Sequence, residues 1–107
     1  MLDPTQRPFP STEFHDVIEG NRAFVFTFDT PNEAGRAAKG LAIVTCMDAR
    51  IDPLAVVGMH PGDAKILRNP GARVTEDVLG ALVLATSLLG VNRILVMPHT
   101  DCRMASG

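Results

Sequence analysis

The stretch Leu41-Ala42-Ile43-Val44-Thr45-Cys46-Met47-Asp48-Ala49-Arg50 decides how this chain is read. Residues 41–45 form a short, mostly apolar run with three β-branched residues after Gly40, the pattern expected of a strand buried on both faces. A thiol, a carboxylate and a guanidinium then follow at every second position. In an extended segment that spacing puts Cys46, Asp48 and Arg50 on one side. Parallel α/β sheets carry their ligand sites just past the carboxyl ends of such strands.

Downstream of this stretch, Pro53 suits a first helical turn and Gly58 an end, so residues 53–59 read as a short helix. Residues 64–67 read as a second strand, stopped by Asn69-Pro70-Gly71. Residues 75–89 give the clearest helix: Thr75 can cap it, Glu76 and Asp77 suit the positive end of its dipole, and Gly90 can end it. Residues 94–97 read as a third strand. Strands alternating with helical segments predict an α/β fold, a parallel-sheet core with flanking helices. The helix after Thr75 is apolar nearly all the way round, so covering one sheet face leaves a second oily face, for which a second subunit is the simplest cover.

Upstream, Pro4, Pro8 and Pro10 make residues 1–10 an extended arm. Ser11 is a candidate N-cap for a helix through Phe14 and Ile18, interrupted near Gly20 and followed by a more extended segment over 24–28. Residues 30–40, with Pro31, Asn32, Gly35 and Gly40, read as a loop with a short helical turn. The expected organisation is one domain: an arm and helical segment over 1–40, then an α/β core over 41–107 that carries the reactive residues.

Composition narrows the partners. The chain has 107 residues, 10 Lys and Arg against 12 Asp and Glu, and a net charge of −2, the wrong sign for a polyphosphate backbone, so nucleic acid is not expected. The longest nearly apolar stretch, residues 79–91, is too short for the ~20 residues of a bilayer span, so no membrane partner is expected. With two cysteines and no secretory leader pattern, the sequence reads as cytoplasmic with reduced thiols.

The chemistry lies past the first and third strands. If these are parallel neighbours, ~4.8 Å apart, Cys46 converges with His99 and Cys102 of the His99-Thr100-Asp101-Cys102 motif. Two thiolates and an imidazole make a natural three-ligand set for zinc. Asp48 has three competing roles: fourth ligand, hydrogen-bond acceptor for a zinc-bound water, or partner of Arg50. With Arg50 holding Asp48 off the metal, the open position takes water, whose pKa zinc lowers toward ~7. Asp48 either stays paired with Arg50 at every pH or coordinates zinc at lower pH and yields to water as pH rises. His15 and His60 lack a metal-ligand neighbour at suitable spacing and are read as solvated or structural.

Cys46-Met47-Asp48-Ala49-Arg50 and His99-Thr100-Asp101-Cys102, with Arg68-Asn69-Pro70-Gly71 between them, resemble the β-class carbonic anhydrases over residues 41–106. Asn21-Arg22-Ala23-Phe24 is also similar to that family's N-terminal helix. The resemblance implies Zn2+ held by Cys46, His99 and Cys102, an Asp48–Arg50 catalytic dyad, hydration of carbon dioxide to bicarbonate by a zinc-bound hydroxide, and a homodimer or larger homo-oligomer. Three departures stand out. Pro70 replaces a usual Ala, Arg103 a common Gly, and the chain stops at Gly107 where members continue for some tens of residues, which implies a core truncated at its C-terminus with an open sheet edge. Two other readings use the same residues: a non-catalytic zinc-stabilised module with Asp48 as fourth ligand, and a zinc hydrolase acting on a carbon dioxide analogue such as carbon disulfide.

Overall fold

A computed structural model of the chain describes residues 8–29 and 35–104. The chain divides into two compact units, Met1–Thr30 and Pro31–Gly107. The second unit holds the sheet. Its elements are β1 (Leu41–Cys46), α2 (Pro53–Val56), β2 (Ala64–Asn69), α3 (Glu76–Leu88) and β3 (Arg93–Met97), and α1 (His15–Thr27) belongs to the first unit.

The three strands are all parallel, in the order β2-β1-β3. β1 is therefore central, and each of its six residues is buried. Ala42 and Val44, on one face of β1, pack with Val78, Leu82 and Ala85 of α3, joined by Ala37 and Val91. Ile43 and Thr45, on the opposite face, are also inaccessible to solvent. A polar Thr45 is tolerated there because its hydroxyl donates to the Met97 carbonyl at 2.8 Å.

The strand order sets the place of the site. From β1 the chain passes to β2 on one side and then returns across β1 to β3 on the other. The order reverses between β1 and β3, which makes the gap outside their carboxyl ends the topological switch point, where open α/β sheets bind ligands. In register, Thr45 pairs with Met97, so Cys46 and the segment after Met97 leave the sheet side by side.

Several boundaries move from their expected places. β2 runs on to Asn69 rather than ending at residue 67, because the ladder continues to the pair Cys46–Asn69 before Pro70 removes the next donor. The helix over 53–59 is one turn, capped by the Asp52 carboxylate, which accepts from the Ala55 amide at 3.4 Å; Gly58, at φ 70°, lies beyond it. Thr75 caps α3 as expected, accepting from the Val78 amide.

The first unit needs a larger correction. The interruption expected near Gly20 and the extended segment from Phe24 do not occur, and α1 runs unbroken through both. Glycine costs a helix interior ~1 kcal/mol relative to alanine but keeps its backbone donor and acceptor, so it weakens the ladder without breaking it. The residue at the N-cap is Phe14, with no side-chain hydrogen bond, and Ser11 lies in the preceding turn. The arm and loop expectations fall partly on residues 1–7 and 30–34, outside the described residues. Residues 8–10 carry no regular structure, and residues 35–40 form no helical turn.

Candidate functional site

β1 delivers Cys46 at its last position, and the segment after β3 delivers His99 and Cys102. One ligand atom from each lies within 4.8 Å of the other two. The two sulfurs are 3.6 Å apart. Two zinc–sulfur bonds of ~2.3 Å at a tetrahedral angle would separate them by ~3.8 Å, so the spacing already suits one ion. Both thiols are free and buried, with Cys46 at 2% exposure.

The imidazole is set for the same role. His99 Nδ1 lies 2.7 Å from the Thr100 carbonyl, and since a carbonyl can only accept, Nδ1 carries the proton. That leaves Nε2 as the lone-pair nitrogen, turned toward the thiols. Nε2 is buried and has no hydrogen-bond partner among the described residues. A buried acceptor without a partner among the described residues, beside two thiols, is what a bound cation would satisfy. The donor set therefore fits zinc by spacing, tautomer and unsatisfied valence.

Electrostatics support a thiolate. The Gly71 amide donates to Cys46 Sγ at 3.4 Å, and with His99 beside it holds the Cys46 thiol down at about 6 in spite of burial. The thiolate in turn raises the His99 pKa, as does the Thr100 carbonyl that accepts the hydrogen bond from Nδ1.

Asp48 and Arg50 sit at the rim of the donor set. The Asp48 carboxylate accepts from the Arg50 side chain at 3.0 Å (Nε to Oδ1) and 2.6 Å (Nη2 to Oδ2), and from the Arg50 backbone amide at 2.8 Å. Those contacts hold its carboxyl far below the usual carboxylate range. Asp48 Oδ2 nevertheless lies only 3.7 Å from His99 Nε2. Arg50 is steadied by the Asp101 carbonyl, 3.3 Å from Nη2. Asp101 itself has φ 55°, a left-handed conformation that turns the chain between His99 and Cys102. Residues 46–50 and 101–104 line an open cleft of about 920 Å³ over this cluster.

Sequence reasoning brought the four ligand candidates and Arg50 to one place and marked residues 68–71 as shaping the site, but not the contacts by which these groups hold it. Arg68 donates to the main-chain carbonyls of Cys46 and Asp48, and the Gly71, Thr100 and Asp101 backbones complete the surroundings. The motif Arg68-Asn69-Pro70-Gly71 was the available signal. Main-chain acceptors leave no trace in residue type, so which carbonyls Arg68 reaches could not be read. His60 stands apart from the cluster, beside Asp63 at 3.9 Å and 87% exposed.

Comparison with known proteins follows the same residues. The carbonic anhydrase family model matches residues 41–107. The chain is 45% identical over 67 residues to "Beta-carbonic anhydrase 1" of Mycobacterium tuberculosis, covering 63% of this chain and 41% of that protein. It is 44% identical over 64 residues to the carbon disulfide hydrolase of Saccharolobus solfataricus, covering 60% of this chain and 31% of that protein. Among solved structures, the carbonic anhydrase of Streptococcus mutans superimposes with a TM-score of 0.79 at 42% identity, over 84% of this chain and 54% of that one. The chain thus spans about half or less of the length of these proteins.

Proposed function

Because the chain belongs to the β-carbonic anhydrase family, we propose that it holds zinc on Cys46, His99 and Cys102 and serves the reversible hydration of carbon dioxide to bicarbonate. The observation that carries this reading is the convergence of the three donors at the switch point beside a carboxylate that Arg50 holds off them. Zinc bound there supplies the Lewis acidity that makes water a nucleophile near neutral pH.

The chain's own residues do the rest. Arg50 occupies both Asp48 oxygens, so the carboxylate stays ionised and is kept from the fourth coordination position. Asp48 Oδ2, facing His99, is placed to accept a hydrogen bond from the attacking water and so aim its lone pair at the carbon of carbon dioxide. The Thr100 carbonyl keeps the His99 proton on Nδ1, away from the donor set. Bicarbonate leaves through the open cleft, and the surplus proton passes to solvent or buffer. Asp48 and Arg50 are the catalytic pair in this scheme.

Two further parts belong to the proposal. Leu79, Val83, Leu84 and Leu88 on α3 remain more than half exposed, which supports a homodimer or larger assembly. Two thiolate ligands favour a reducing compartment, so the cytoplasm is the proposed location. The similarity to a carbon disulfide hydrolase supports carbon disulfide as a second substrate to assay, because it is linear and apolar like carbon dioxide.

Asp48→Ala is the deciding experiment. Zinc content is expected to stay at about one per chain while hydration falls by ~10–100-fold. Loss of zinc instead would mean that Asp48 is a ligand and favour a non-catalytic zinc-stabilised module. Turnover of carbon disulfide without hydration of carbon dioxide by the unaltered protein would reassign the substrate.

A further inference from the structure

β2 contributes none of the three donors, yet its C-terminal end and the loop after it touch both segments that do. Arg68 donates from Nε to the Cys46 carbonyl at 2.8 Å and from Nη2 to the Asp48 carbonyl at 2.7 Å. One planar guanidinium thereby spans carbonyls on either side of Met47 and fixes the direction in which the chain leaves β1. Next to it, the Asn69 side chain clasps Arg73, accepting from its amide at 2.8 Å and donating to its carbonyl at 2.6 Å. That clasp closes a tight loop in which Gly71 (φ 86°) and Ala72 (φ 58°) are both left-handed, and the Gly71 amide is thereby aimed at Cys46 Sγ. Arg73 Nη2 then reaches across to the Met104 carbonyl at 2.8 Å, two residues beyond Cys102.

We propose that the end of β2 and the loop after it form a brace that keeps the two ligand-bearing segments in register, with Arg68 positioning Cys46 and Asp48 and Arg73 positioning the Cys102 segment. The acceptors of these two arginines at the brace are main-chain carbonyls, so what the brace supplies is geometry rather than neutralisation of a carboxylate. A cation site needs that help here because Cys46 and Cys102 lie 56 residues apart in sequence, and the β1–β3 ladder that joins their segments ends at the pair Thr45–Met97. The inference rests on the zinc reading of the donor set, though not on which substrate is turned over.

The test uses Arg68→Gln, Arg68→Lys and Arg73→Gln in the whole protein, with zinc competed against a chelator and with cobalt(II) as a visible reporter of the thiolate ligands. Both glutamine variants are expected to hold zinc ~10–100-fold more weakly than the unaltered protein, with altered cobalt(II)–thiolate bands, and Arg68→Lys to fall between. An arginine that merely stabilised the fold would lower the melting temperature of the metal-free protein and leave both readouts alone. Unchanged zinc affinity and cobalt spectrum in both glutamine variants overturn the proposal. Should Arg68→Gln fail to fold, Arg73→Gln decides, since Arg73 lies on the exposed loop outside the sheet. Tight zinc binding by the unaltered protein without carbon dioxide hydration would contradict the proposed reaction while leaving these affinity comparisons valid.

Discussion

A thiol at 2% exposure is normally held neutral, because burial penalises its anion. Cys46 escapes this through the Gly71 amide and His99, which lower its pKa and so favour the thiolate a metal requires. Asp48 is secured differently, by three donors from one neighbouring residue, and Arg50 is the group whose loss should change its behaviour most. Arg50→Gln removes the forked contact and frees Asp48 to compete for the fourth position. Zinc content should be retained and hydration reduced ~10–100-fold, measured by metal analysis and stopped-flow assay. Cys102→Ser removes one of two soft donors, and the expected outcome is loss of bound zinc after dialysis against a mild chelator.

Elements carry the site only as far as β1 and β3 stay paired at both ends. At the start of the pair, Gly40 has φ 66°, and its carbonyl accepts from the Asn92 and Arg93 amides at 2.9 and 3.1 Å. A Cβ there would stand 2.7 Å from Asn92 Oδ1. Gly40→Ala should therefore destabilise the fold by ~1–3 kcal/mol, read from denaturant unfolding, through the left-handed backbone and the crowded Asn92 side chain. Leu82→Ala, which opens the packing between α3 and β1, should cost ~2–5 kcal/mol by the same measurement. The strands were legible in sequence because β1 and β3 are short apolar runs, and α3 because Thr75 and its two acidic neighbours mark its start. α1 was harder to read: Gly20 looks like a break, and its apolar residues follow no buried face, since none of α1 is buried. The same limit applies at the site. Cys46, His99 and Cys102 announce themselves by residue type and spacing, whereas the clasp of Asn69 on Arg73 depends on a loop conformation that no pattern of residue types specifies.

At the scale of the molecule, the described residues leave a broad apolar surface in view. α3 shows Leu79, Val83, Leu84 and Leu88, and β3, at the sheet edge, shows Ile94, Leu95 and Val96, each between 38% and 64% exposed. Burial of such a surface stabilises by ~25 cal/mol per Å², which favours association. Sedimentation velocity should find a dimer or larger species, and Val83→Glu with Leu84→Glu should shift it toward the monomer if α3 is the covered face. No helix among the described residues is long and apolar enough to cross a membrane, so a bilayer is not the cover through a spanning helix. X-ray absorption at the zinc edge of the purified protein tests the central claim most directly. The account predicts two sulfur neighbours at ~2.3 Å and nitrogen or oxygen neighbours at ~2.0 Å. A shell lacking either sulfur, or a protein that takes up no zinc, would contradict it.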